Sequence, residues 1–169
     1  MSQFWGTHQN KRDGKGRVSI PAPFRTALRD GKDDDPVVTV VLRASHRYAC
    51  IEGWPVGEFE RLASRVTKLD FFSADQEDLA TTLYADALLV ESDKEGRILL
   101  PETLVRHAGL DGAVAFVGLG QIFQIWEPAA AEHRRAEARE RARNLTLPQA
   151  GLTAASEPRA ATAAAGGGG

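Results

Sequence analysis

Short apolar runs alternate along the chain with stretches of helical spacing, and the order of these runs repeats. Val37-Val38-Thr39-Val40-Val41-Leu42 and Tyr48-Ala49-Cys50-Ile51 are rich in apolar and β-branched residues, which predicts two strands joined by a polar turn. Trp54-Pro55 then opens a helical pattern from Val56 to about Lys68. Further on, Val114-Ala115-Phe116-Val117-Gly118 and Ile122-Phe123-Gln124-Ile125-Trp126 predict a second strand pair around Leu119-Gly120-Gln121. Glu127-Pro128 opens a long helix, rich in Ala, Arg and Glu, to about Asn144.

A nine-residue segment precedes each set. Setting the sequence against itself at an offset of 80 aligns Asp13-Gly14-Lys15-Gly16-Arg17-Val18-Ser19-Ile20-Pro21 with Asp93-Lys94-Glu95-Gly96-Arg97-Ile98-Leu99-Leu100-Pro101. Asp, Gly, Arg and Pro coincide, within the same alternating frame. After each proline, Ala22 to Leu28 and Glu102 to Gly109 read as a short helix, the second stopped by Gly109. Each copy therefore runs strand, turn, strand, helix, hairpin, helix. At roughly 45 to 55 residues, a copy has a marginal core of its own, so it is expected to complete its sheet against its twin. The expected fold is α+β: two pseudo-twofold repeats forming a β-barrel with flanking helices. The expected boundaries are 4–70 for the first repeat, 71–91 for a connecting helix, 92–144 for the second repeat and 145–169 for a disordered tail. The connecting helix begins at a Ser73-x-x-Gln76 capping signal followed by acidic residues, and the tail lacks apolar periodicity and ends in four glycines.

Composition removes several function classes. With 169 residues and 43% hydrophobic content the chain is globular, and no run nears the roughly 18 apolar residues of a membrane span. Its first residues lack a basic-then-apolar leader, so the cytoplasm is the expected compartment. Cys50 has no second cysteine to pair with and is expected to pack inertly. His8, His46 and His133 show no ligand spacing, and Glu132-His133 lacks the second histidine of a zinc motif. Gly14-x-Gly16 and Gly118-x-Gly120 fall short of a dinucleotide or phosphate loop. Neither a nucleophile with its base nor a metal cluster stands out, so no enzyme, cofactor, metal or small-molecule substrate is expected.

The net charge of −2 argues against a nucleic-acid partner, but charge is unevenly spread. Between Met1 and Leu28 the chain holds Lys11, Arg12, Lys15, Arg17 and Arg25 against Asp13 alone, while the middle is mostly acidic. In the Asp-x-x-Gly-Arg turn, Asp can close the loop on backbone N–H groups and Gly can take positive φ, which aims the arginine outward. Lys15 and Arg17 beside Lys11 and Arg12 form a cluster suited to phosphates, and arginine also fits guanine O6 and N7.

These residues resemble the MraZ family of bacterial regulators, in the swapped-hairpin AbrB-like superfamily. Phe4-Trp5-Gly6 is similar to its opening, Asp13 to Pro21 to its Asp-x-Lys-Gly-Arg signature, and Phe24-Arg25 to the pair that follows. Asp93 to Pro101, His107-Ala108-Gly109-Leu110, Val117-Gly118 and Phe123-Gln124-Ile125-Trp126 resemble the second repeat, and the likeness covers about residues 4 to 144. It implies a sequence-specific, nucleoid-associated regulator that binds double-stranded DNA. Such a protein is expected to repress the division and cell-wall gene cluster, its own promoter included, as a ring-shaped homo-oligomer on repeated sites. By carry-over, Lys15 and Arg17 lead the DNA contacts and Arg97 is the second-copy equivalent, although Glu95 replaces the lysine there. The rival reading is an antitoxin-like or scaffolding module whose partner is a protein.

Overall fold

The computed structural model describes residues 3–31 and 34–148. The first repeat is β1 (Thr7–Lys11), β2 (Arg17–Ser19), α1 (Ala22–Arg29), β3 (Thr39–Ala44), β4 (Ile51–Trp54) and α2 (Val56–Val66). Helix α3 (Ala74–Ala80) then runs into a π-helical turn, Thr81–Ala85. The second repeat is β5 (Leu88–Glu91), β6 (Arg97–Leu99), α4 (Glu102–His107), β7 (Ala113–Gly118), β8 (Phe123–Trp126) and α5 (Pro128–Ala142). Pro21, Pro55 and Pro101 stand immediately before α1, α2 and α4 with φ of −53°, −55° and −58°, the value their rings impose. Ser73 Oγ accepts the Gln76 N–H at 3.1 Å, so the expected cap forms at the start of α3.

Six strands form one antiparallel sheet in the order β1-β7-β8-β4-β3-β5, and β2 and β6 form a separate two-stranded ribbon. Repeat one places β1 against β7 of repeat two, and repeat two places β5 against β3 of repeat one. The registers match as well: Gln9 faces Ala115 as Leu89 faces Val41, and Lys11 faces Ala113 as Glu91 faces Thr39. A pseudo-dyad passes through two cross-strand pairs of equivalent residues, Val18 with Ile98 in the ribbon and Glu52 with Gln124 in the sheet. The exchanged strands explain how two marginal half-cores become one, since neither repeat holds a complete sheet.

The sheet has two ends, β1 and β5, and no strand ladder joins them, so the expected barrel is not closed by hydrogen bonds. Each end strand instead leads through its Asp-x-x-Gly-Arg turn into the ribbon. Residues 88–91, placed by sequence in the connecting helix, form strand β5. Leu88-Leu89-Val90 continues the apolar run of the helix, but its backbone finds partners on β3, a pairing that local pattern does not reveal. The strand expected from Tyr48 starts at Ile51, because Ser45 Oγ holds the N–H groups of Arg47 and Tyr48 in a tight turn.

The core joins both repeats: Val18, Ile20, Phe24, Val40, Leu42 and Ile51 pack with Ile98, Leu104, Val114, Phe116, Phe123 and Ile125. Phe123 sits at its centre, with ring centroids 5.1 Å from Phe4, 5.3 Å from Phe24 and 5.9 Å from Phe116. A second cluster holds Cys50, Ala115, Val117, Trp126 and Ala131. Burial pushes the Cys50 thiol up to about 12, which leaves it unreactive at neutral pH. Contacts divide the chain into two units, Met1–Arg135 and Ala136–Gly169. In the second, α5 ends with an Arg143–Glu140 ion pair at 3.2 Å, and Leu145 and Leu147 are exposed. The expected tail lies outside the described residues from position 149 onward. Among the described residues no helix is long and apolar enough to cross a membrane.

Gly53, opposite Phe123 in the β4–β8 pair, leaves room for that ring: a Cβ there would lie 2.3 Å from Phe123 Cζ. Gly53→Ala is expected to destabilise the protein by about 1–3 kcal/mol in a denaturant melt, through overpacking. Gly57→Ala, where a Cβ meets nothing within 4 Å, is expected to be neutral or slightly stabilising.

Candidate nucleic-acid interface

Each repeat folds its signature into the same clasp. Asp13 N–H donates to Arg17 O at 2.8 Å and Gly16 N–H to Asp13 O at 3.0 Å, closing a turn that requires φ of +81° at Gly16. Asp13 Oδ1 accepts the N–H groups of Lys15 and Arg17, each at 2.9 Å, while Oδ2 takes Arg17 Nε at 2.8 Å. The second clasp repeats this: Asp93 Oδ1 accepts Glu95 N–H at 3.0 Å and Arg97 N–H at 2.9 Å, and Oδ2 takes Arg97 Nε at 2.8 Å. One carboxylate thus fixes both the loop and the stem of its arginine.

The ribbon brings the two arginines onto one face. Val18 and Ile98 turn inward and are buried, so their neighbours Arg17, Ser19, Arg97 and Leu99 turn outward. Arg17 faces Leu99 and Arg97 faces Ser19, which makes the arginines diagonal neighbours about 7–8 Å apart by strand geometry. Lys15 is exposed at the tip of the first turn. Lys11 is exposed at the end of β1, opposite Ala113. Arg12 is held back: Nη1 donates to Asp111 O at 3.2 Å and its Nε is buried. Lys15, Arg17 and Arg97 thus share the ribbon region, whereas Arg12 is tied to the start of β7.

The turns differ in charge. Arg97 Nη2 also donates to Glu95 Oε2 at 2.9 Å, so two carboxylates engage it, whereas Arg17 meets one. A third arginine, part of the amino-terminal basic group but not among the expected DNA contacts, lies at the second turn. Arg25 of α1 donates Nη1 to Ile20 O at 2.6 Å and covers Gly96, where a Cβ would lie 2.4 Å from Arg25 Cδ. Only the pairing of repeats reveals this neighbour.

Sequence also missed a buried ion pair. Arg43 of β3, 1% exposed, donates Nη1 to Glu52 Oε2 of β4, and Trp54 Nε1 donates to the same oxygen at 3.1 Å. Its Nη2 donates to Thr82 O at 3.3 Å, fixing the π-helical turn to the sheet. In the second repeat Val117 stands at the position of Arg43, and Trp126 Nε1 donates to Gln124 Oε1 at 2.9 Å. Among the described residues no group of three or more His, Cys, Asp or Glu is placed to hold a metal ion.

Comparison with known proteins follows the same division into halves. The family model for the MraZ protein, described as antitoxin-like, matches residues 3–81 and again 83–149. The transcriptional regulator MraZ of Gluconacetobacter diazotrophicus is 58% identical over 151 residues, covering 89% of this chain and 95% of its own length. That of Gluconobacter oxydans is 56% identical over 162 residues, covering 91% and 98%. That of Rickettsia canadensis is 35% identical over 128 residues, covering 76% and 83%.

The clasps set a pH dependence. The Arg17 backbone N–H, helped by the Arg17 side chain and Lys15 N–H, holds the Asp13 carboxyl below its ordinary value, and the Arg97 backbone N–H does the same for Asp93. Because the folded values are depressed, the clasps' contribution is complete above the unfolded carboxyl value of about 4 and is lost as pH falls through the lower folded values. Carboxyl titration by NMR is expected to place both midpoints below those of an unfolded peptide. Arg17→Ala is expected to raise the Asp13 midpoint alone.

Proposed function

The chain belongs to the MraZ family, and on that premise we propose that it is a sequence-specific regulator of transcription that binds double-stranded DNA through the outward face of its β2–β6 ribbon. The observation that carries this reading is the pair of clasped arginines, Arg17 and Arg97, held as diagonal neighbours above a buried Val18–Ile98 pair. A two-stranded ribbon fits the major groove, where arginine reaches guanine O6 and N7 and an apolar side chain meets the thymine methyl. Leu99, 59% exposed and opposite Arg17, has the chemistry for that last contact. Lys15 and Lys11 flank the face as phosphate contacts, and Arg12 supports the first turn from behind.

The protein acts as a repressor of the division and cell-wall gene cluster, its own promoter included, in the cytoplasm at the nucleoid. It works as a closed ring of identical subunits on short repeated sites. Repetition answers the unfavourable net charge, because weak contacts at matched spacing act at high effective concentration. The exchange of β1 and β5 between repeats supports the AbrB-like swapped-hairpin arrangement. The antitoxin-like description of the family favours a second reading, in which exposed Phe71 and Phe72 beside the acidic α3 receive a protein.

A mobility-shift titration with the promoter of the protein's own gene cluster, repeated at several salt concentrations, checks the first reading. Arg17→Ala is expected to cost about 1–3 kcal/mol per contacting subunit and to relax base preference, and Lys15→Ala to flatten the salt slope by about one. Unchanged affinity and slope in both variants would count against this face as the DNA surface.

A further inference from the structure

The two clasps are unequal in charge. In the first, Lys15 and Arg17 stand against Asp13, an excess of one cation; in the second, Lys94 and Arg97 stand against Asp93 and Glu95, an excess of none. A face that meets a phosphate backbone at both ends of the ribbon would be half neutralised if each turn relied on its own residues. The second turn, however, receives a guanidinium from elsewhere in the fold.

Each turn glycine has an arginine against it, and the two arginines come from positions that the duplication does not relate. A Cβ built on Gly16 would lie 3.4 Å from Nη2 of Arg12, the residue that follows β1 in the same repeat. A Cβ built on Gly96 would lie 2.8 Å from Nε and Nη1 of Arg25, which comes from α1 of the other repeat. The second-repeat counterpart of Arg12 is the buried Ser92, and that of Arg25 is the buried Val105. Copying a repeat therefore does not account for the match.

Only Nη1 of Arg25 is engaged, by Ile20 O at 2.6 Å. That bond sits beside the one from Ile20 N–H to Gly96 O at 2.9 Å, so the guanidinium is fixed against the second turn by both repeats. Its Nε and Nη2 make no hydrogen bond among the described residues, and the side chain is partly exposed.

We propose that Arg25 is a DNA-phosphate-binding residue of the second turn, standing in for the lysine that Glu95 replaces. The assignment rests on the ribbon face being the DNA surface. With Arg25 the second turn carries an excess of one cation, so both ends of the ribbon present net positive charge to the backbone. Arginine suits the position because its planar fork can give one nitrogen to a carbonyl while others meet a phosphate oxygen.

The test compares Arg25→Gln, Arg25→Lys, Arg17→Ala, and Arg25→Gln combined with Glu95→Lys in full-length protein. Affinity for the promoter duplex is read as a function of salt, beside a thermal melt of each variant. Arg25→Gln is expected to weaken binding about tenfold per engaged subunit, the scale of one charge-assisted hydrogen bond, and to lower the salt slope by about one. Arg25→Lys should keep most of the slope, and Glu95→Lys should restore it in the Arg25→Gln background. If Arg25 only braces Gly96 and Ile20, Arg25→Lys and Arg25→Gln will be impaired alike in melt and binding, and Glu95→Lys will restore nothing; that result overturns the assignment. It is also overturned if Arg25→Gln leaves affinity and slope intact while Arg17→Ala loses binding, which would spare the ribbon reading. Failure of the unaltered protein to bind any duplex would remove both.

Discussion

Antiparallel pairing of Val18 with Ile98 on the pseudo-dyad is the contact from which the rest of the arrangement follows. Both side chains are buried, so the residues on either side of them are forced to the opposite face of the ribbon by the two-residue period of a strand. That single geometric fact places Arg17, Ser19, Arg97 and Leu99 outward together. It also commits β1 and β5, which lead into the ribbon through the clasps, to the far repeat's sheet. The core can then close only when both repeats are present, and Phe4, Phe24 and Phe123 contact one another across what the sequence presents as two separate halves.

The clasps give that face its chemical character. An arginine on a strand normally samples many rotamers, and ordering it on a ligand costs side-chain entropy. Here Asp13 and Asp93 hold the Nε of Arg17 and Arg97 at 2.8 Å, and Glu95 holds Nη2 of Arg97 as well. Part of the ordering is thus done by folding. The cost is electrostatic, because each carboxylate offsets the cation it orients, and lysine at the turn tip or an arginine from a neighbouring element must supply the remaining charge.

Much of this was legible in the sequence because the information is local. The duplicated Asp-x-x-Gly-Arg segment, the prolines that open three helices and the Ser73 cap follow from short-range rules, and each forms as expected. What stayed hidden depends on partners distant in sequence. Leu88-Leu89-Val90 reads as a helical continuation until β3 is known to lie beside it. Arg43 falls in the polar turn expected after Leu42, yet it lies buried in β3, where Glu52 and Thr82 O take its guanidinium. Arg25 follows Phe24 on a short helix and gives no sign that another repeat's glycine lies beneath it. Barrel closure lies beyond such rules for a related reason: periodicity specifies faces, whereas closure depends on which edges meet.

The Glu52–Gln124 pair on the pseudo-dyad has a consequence for assembly. If two first repeats from different molecules combined through the same sheet contact, glutamate would face glutamate in a buried site, with a second Arg43 pair to accommodate nearby. Like charges directly opposed across strands are unfavourable, and more so away from water. Glutamine on one side removes that conflict in the mixed combination. The Glu52–Gln124 pairing thereby makes two first repeats the electrostatically disfavoured combination across this sheet contact.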